Sequence, residues 1–73
     1  MNPPVKELAI GLPDGVTTDF QTRIPYVSGT VVPFINGQAL PEDVIEVDSW
    51  LIFRLEYAPK VGDTISVYYV PKV

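Results

Sequence analysis

Along this chain apolar and polar residues alternate in short runs, and Pro or Gly ends each run after a handful of positions. Phe20, Thr22 and Ile24 fall on one side of an extended segment and Asp19, Gln21 and Arg23 on the other. A repeat of two residues is the signature of a half-buried strand, because successive side chains of a strand point to opposite faces. Turn residues spaced by roughly eight to twelve positions are those of an all-β domain. No segment of helical length keeps an apolar 3.6-residue period free of Pro or Gly.

The pattern predicts strands over residues 5–12, 17–24, 30–35, 38–40, 44–47, 50–55 and 64–70. In the first, Leu8, Ile10 and Leu12 share a face. In the fifth, Ile45 and Val47 are expected to pack inward, with Val44 the odd apolar residue on an outer face. In the sixth, Trp50, Ile52 and Arg54 face one way and Leu51, Phe53 and Leu55 the other; in the last, Ile65, Val67 and Tyr69 align. Trp50 and Tyr69 are expected in the core, with Tyr68 at its rim, since neighbours on a strand point apart.

Turn chemistry fixes the joints. In LPDG, Pro13 presets φ and Gly15 permits a positive φ. Asn36-Gly37 between apolar runs predicts a type I′ hairpin. Gly62 breaks the loop before the last strand, and the Asp63 side chain is suited to bonding nearby backbone N–H groups. Pro33, inside an otherwise regular strand, has no N–H to donate and fits an edge or a bulge. The hairpin is therefore expected at a sheet border, where side chains rather than further strand pairing meet a partner.

The expected fold is all-β: a small antiparallel β-sandwich or partly open barrel of six to seven short strands. Residues 1–4, with Pro3 and Pro4, read as an extended N-terminal arm, and residues 5–73 as a single β domain. With 73 residues, such a domain buries only about 60% of its unfolded surface. Reinforcement by disulfides or thiolate zinc is excluded because there is no Cys, and there is no His to ligate a metal. Association with other subunits is the expected remedy.

The formal charge of −4, with five scattered basic residues, argues against nucleic acid. No apolar run approaches the roughly 18 residues that span a membrane, and the start of the chain lacks the basic and apolar regions of a signal peptide. Without His or Cys the usual nucleophile–base pairings cannot be built, so no catalytic residues and no cofactor are assigned. On an extended strand Glu42, Glu46 and Asp48 would share a face, as calcium prefers, but they lack the spacing of a calcium loop and read as a solvated face. Trp50 and Tyr68 offer surface for a partner or a sugar, and with Pro33 are the candidate contact residues.

Four pieces in order, ELAIGLPDGVTTDF, GTVVPFINGQAL, EDVIEVDSWLIFRL and APKVGDTISVYY, resemble a small β module of tailed-bacteriophage virions, found alone or within tail-fibre and other tail-associated proteins. The resemblance covers residues 7–69. Val44 stands where that family has an aromatic residue, and Pro33 where it has an ordinary strand residue. The resemblance implies a non-enzymatic virion structural protein, made in the bacterial cytoplasm and located in the virion. Its partners would be other virion proteins of the tail, tail fibre or neck, in a homo-oligomeric or multi-copy assembly. A capsid decoration protein and a carbohydrate-binding module recognising a bacterial surface glycan are the alternatives.

Overall fold

The computed structural model describes residues 3–47 and 50–72. Among these residues there are seven strands: β1 (Val5–Leu8), β2 (Asp19–Gln21), β3 (Val32–Ile35), β4 (Gln38–Ala39), β5 (Val44–Glu46), β6 (Ile52–Leu55) and β7 (Ile65–Tyr69). They form two antiparallel sheets, one in the order β1-β7-β3-β4 and the other β2-β6-β5. We call these the four-stranded and the three-stranded sheet. The fold is all-β, as the alternation predicts, with each strand shorter than its apolar run. Pro3 and Pro4 lie outside any strand; the rest of the expected arm, Met1 and Asn2, falls outside the described residues.

The inner faces of the two sheets make one core. Ile65, Val67 and Tyr69 of β7 meet Phe20, Phe53 and Leu55 of the three-stranded sheet, all nearly fully buried. Phe20 and Phe53 are cross-strand partners whose rings lie 6.4 Å apart. Tyr26, from the β2–β3 connection, fills the remaining space, and its hydroxyl donates to the Ile52 carbonyl at 2.6 Å. Buried Thr22 donates its hydroxyl to the Ile24 carbonyl at 2.8 Å, so its polar atom enters the core already bonded.

The chain passes from one sheet to the other at Ile10, whose N–H and C=O both bond Gln21. Gly11 makes this crossing possible. Its φ is +146°, and a Cβ there would stand 2.5 Å from the Phe20 ring, so only glycine fits.

Two expectations about faces are corrected, and the face shared in the first run is placed outward. In β1 the inward residues are Val5 and Glu7, followed by Ala9, while Leu8, Ile10 and Leu12 turn outward, 60%, 40% and 72% exposed. In β5 it is Val44 that packs on the core and Ile45 that is exposed. Both strands carry a glutamate on the inner side, and each glutamate is occupied by backbone. Glu7 accepts the Arg23 N–H at 2.9 Å; Glu46 accepts the Gly29 N–H at 2.6 Å and the Ser28 hydroxyl at 2.7 Å. Bonded in this way, a carboxylate can take a half-buried place that an apolar residue was expected to fill. The second correction is Trp50, which is 49% exposed in the turn leading into β6, with the Lys72 ammonium 3.8 Å above its ring. Tyr69 does lie in the core.

Pro33 is also corrected as a contact residue, because its side chain is fully buried. It pairs with Val67 in an unbroken register, so β3 carries no bulge there. Strand β3 is bordered by β7 on one side and β4 on the other, and the border of the sheet is β4. The Pro33 carbonyl accepts from the Leu40 N–H at 2.8 Å, and proline has no N–H to return. The β3–β4 ladder stops at this point.

Candidate functional site

The turns place the surfaces. Asn36 and Gly37 have φ of 52° and 86°, which is the type I′ hairpin expected of the pair. Asn36 does more than turn the chain: its side-chain oxygen accepts the Thr64 N–H at 2.9 Å, and its amide donates to Asp63 at 3.0 Å. Asp63 in turn accepts the Lys60 N–H at 2.9 Å. The Asn36-Gly37 and Gly62-Asp63 pairs, far apart in sequence, are thus one junction. The Asn36 amide, then the Lys60 N–H, hold the Asp63 carboxyl below the ordinary aspartate range. Gly15 and Gly62 also have positive φ, and the Gly15 N–H donates to the Pro59 carbonyl at 2.7 Å, closing two loops on each other.

The register of the four-stranded sheet defines its outward face. Lys6, Tyr68 and Val32 lie side by side in one row; Leu8, Ser66, Phe34 and Ala39 form the next. Antiparallel sheets with one solvated face ordinarily turn polar residues toward water. Here five of the seven outward residues are apolar or aromatic, and none is acidic. The Lys6 ammonium stands 4.1 Å from the centroid of the Phe34 ring, reaching diagonally across the face. The lysine stem therefore adds further apolar cover, with its charge spread over a ring rather than paired with a carboxylate.

The opposite face of the molecule is of another kind. Asp19, Arg54 and Ile45 form one outward row of the three-stranded sheet, Gln21 and Ile52 the next. Arg54 grips Asp19 through two hydrogen bonds, of 2.6 and 3.2 Å. The guanidinium hydrogen bond lowers the Asp19 carboxyl from its ordinary range, and the same bond raises Arg54. This face is solvated and internally paired.

Of the candidate contact residues, Tyr68 lies in the middle of the apolar face, Trp50 belongs to a turn of the other sheet, and Pro33 is inside. Sequence reading missed Phe34, Val32 and Leu8 as members of the face with Tyr68. The signal was present: 32 and 34 share a strand parity, but strand order alone decides that β1 and β3 flank β7. Of the three acidic residues weighed for calcium, Glu42 and Glu46 lie among the described residues. Glu46 is occupied, Asp48 falls outside the described residues, and among those residues no group of three His, Cys, Asp or Glu could hold a metal. No protein-family model matches the chain, and a search of curated proteins and of solved structures finds no match either.

Proposed function

We propose that the protein is a non-enzymatic structural component of a tailed-bacteriophage virion that binds other virion proteins, in many copies, through the outward face of the four-stranded sheet. The observation that carries the reading is that face itself: Leu8, Val32, Phe34, Ala39 and Tyr68 present a contiguous apolar surface without a carboxylate. Surfaces of this kind on small domains are protein contacts more often than solvent faces. The order of turn and strand motifs, which resembles the virion module, supplies the virion context. A domain of 73 residues gains from burying such a face against neighbours.

Electron microscopy of particles carrying a labelled copy tests the location. Density in the tail, fibre or neck supports the reading, whereas labelling of the capsid lattice favours a decoration protein. Tyr68→Glu tests the surface. It is expected to leave the melting temperature nearly unchanged, as surface substitutions do to within about 0.5 kcal/mol, and to abolish incorporation into particles. Normal incorporation of a folded Tyr68→Glu chain sinks the proposal, and glycan binding lost in the same variant replaces it with the carbohydrate reading.

A further inference from the structure

Beside the apolar face lies a strand edge that is unpaired among the described residues. The Ala9 N–H bonds the Ile65 carbonyl, so alternation makes Ala9, Glu7 and Val5 the residues whose backbone points to β7. Lys6 and Leu8 then direct their N–H and C=O groups away from the sheet. Ile10, next in that series, has both groups taken by Gln21, and Pro4 on the other side has no N–H. The opening is therefore a bounded slot of two donors and two acceptors at ladder spacing. Two exposed cations belong to the residues beside it, and among the described residues neither forms a salt bridge with a carboxylate: Arg23, and Lys6, whose ammonium rests over the Phe34 ring in an exposed contact weak enough to be exchanged for a carboxylate at the edge. The carboxylate there, Glu7, is already occupied by the Arg23 N–H.

We infer that this slot accepts an extended segment of a different protein, antiparallel to β1, with an apolar residue opposite Leu8, a neutral one opposite Glu7 and an acidic one opposite Lys6. Charge complementarity selects the acidic segment, and the slot's own registers reject a second copy. Two β1 strands related by a two-fold axis can meet in three ways. One sets Glu7 against Glu7, like charges directly opposed. The second sets Lys6 against Lys6 and Leu8 against Pro4. The third needs the backbone of Ile10, which is taken. The other edges are no better mates. After Ala39, β4 runs into Pro41. Strand β5 would align Lys6 and Leu8, on an outer face, with Glu46 and Val44, which face inward. Addition of a foreign strand to a sheet edge gives affinity through main-chain bonds and specificity through alternate side chains. The inference stands on the edge geometry and does not depend on the virion reading.

The test is amide hydrogen exchange on the full chain titrated with the blocked peptide Thr-Val-Thr-Glu-Thr at millimolar concentration. Protection is expected to rise at Lys6 and Leu8 and to stay unchanged at Glu7, whose N–H already serves β7. A peptide with Lys in place of Glu is expected to bind about fivefold more weakly. Leu8→Pro removes one outward donor without touching the ladder to β7 and is expected to abolish the protection at Lys6. Should Leu8→Pro not fold, Lys6→Glu decides: it reverses the preference between the two peptides. Unchanged exchange at Lys6 and Leu8, retained preference in Lys6→Glu, or protection that grows with protein concentration alone would each overturn the inference.

Discussion

The outward faces of the two sheets differ in how their charge is handled. On the three-stranded sheet, charge is present and neutralised in place by the two-pronged Asp19–Arg54 pair. On the four-stranded sheet, charge is nearly absent: Lys6 is its one cation, laid over the Phe34 ring, and aromatic and aliphatic residues take the positions that water normally claims. Both sheets contribute to one core, so folding alone does not require this asymmetry. A face that is paired internally is finished; a face that is apolar and unpaired is an unmet requirement for contact. Edges follow the same division. Strand β4 ends its ladder at Pro33 and continues to Pro41, blunting that border, while β1 keeps two residues open beside the apolar face.

The two outer faces belong to one unit only if the inner faces share a core, and the largest effect tests that sharing. Phe53 is fully buried on β6, against Phe20 and across from β7. Phe53→Ala is expected to cost about 3–5 kcal/mol, much of the stability of so small a domain. In a urea titration both sheets should then unfold together, at a much lower midpoint. A variant that loses one sheet and keeps the other would show that the outer faces belong to separate units. Next in size is the joint between the sheets. Gly11→Ala drives a Cβ into the Phe20 ring at a backbone angle that alanine rarely adopts, and about 1–3 kcal/mol of destabilisation is expected. Thermal melts measure it, and an unchanged melting temperature would mean that the crossing at Ile10–Gly11 is not the tight passage described.

Most of the fold was legible because most strands obey the rule that apolar residues go inward. Phe20 and Thr22, Phe53 and Leu55, and Ile65, Val67 and Tyr69 sit where the alternation puts them. The type I′ turn at Asn36-Gly37 followed from residue types alone. Strands β1 and β5 share one feature. Each can be written in two phases differing by a single residue, and in each the less hydrophobic phase faces inward; the expectation for β5 takes the other phase, while the face shared by Leu8, Ile10 and Leu12 holds and lies outward. In both, a glutamate occupies the inner side because the long β2–β3 connection needs an acceptor: Glu7 at Arg23 near its start, Glu46 at Ser28 and Gly29 near its end. These partners are 16 to 18 residues distant, beyond any local pattern. The apolar face is hidden in the sequence because strand order, which sets β1 and β3 on either side of β7, cannot be read from periodicity. Glu46→Ala isolates the effect. It is expected to cost about 1 kcal/mol and to raise amide exchange at Gly29, with Val44 still buried. An inversion of β5 that buries Ile45 instead would show the glutamate to be the element that sets the phase.

The smallest effect separates the two outer faces by acid. Asp19 is held below its ordinary value of 3.8, chiefly by its hydrogen bond to Arg54. Asp14, bonded by the Thr17 and Val16 N–H groups, and Asp63 are lowered as well. A carboxylate whose folded value is depressed releases its proton more readily folded than unfolded. Its contribution is therefore complete above the unfolded value and disappears as pH falls through the lower, folded one. Stability should be level from neutrality to roughly pH 5 and decline below the ordinary aspartate value. Arg54→Met removes the cause of the Asp19 shift and should make that acid-side decline shallower. Lys6→Met, on the face with no carboxylate, should leave its shape unchanged. If the two variants gave the same acid profile, the three-stranded sheet would owe nothing to its ion pair, and the difference between the faces would reduce to the apolar surface alone.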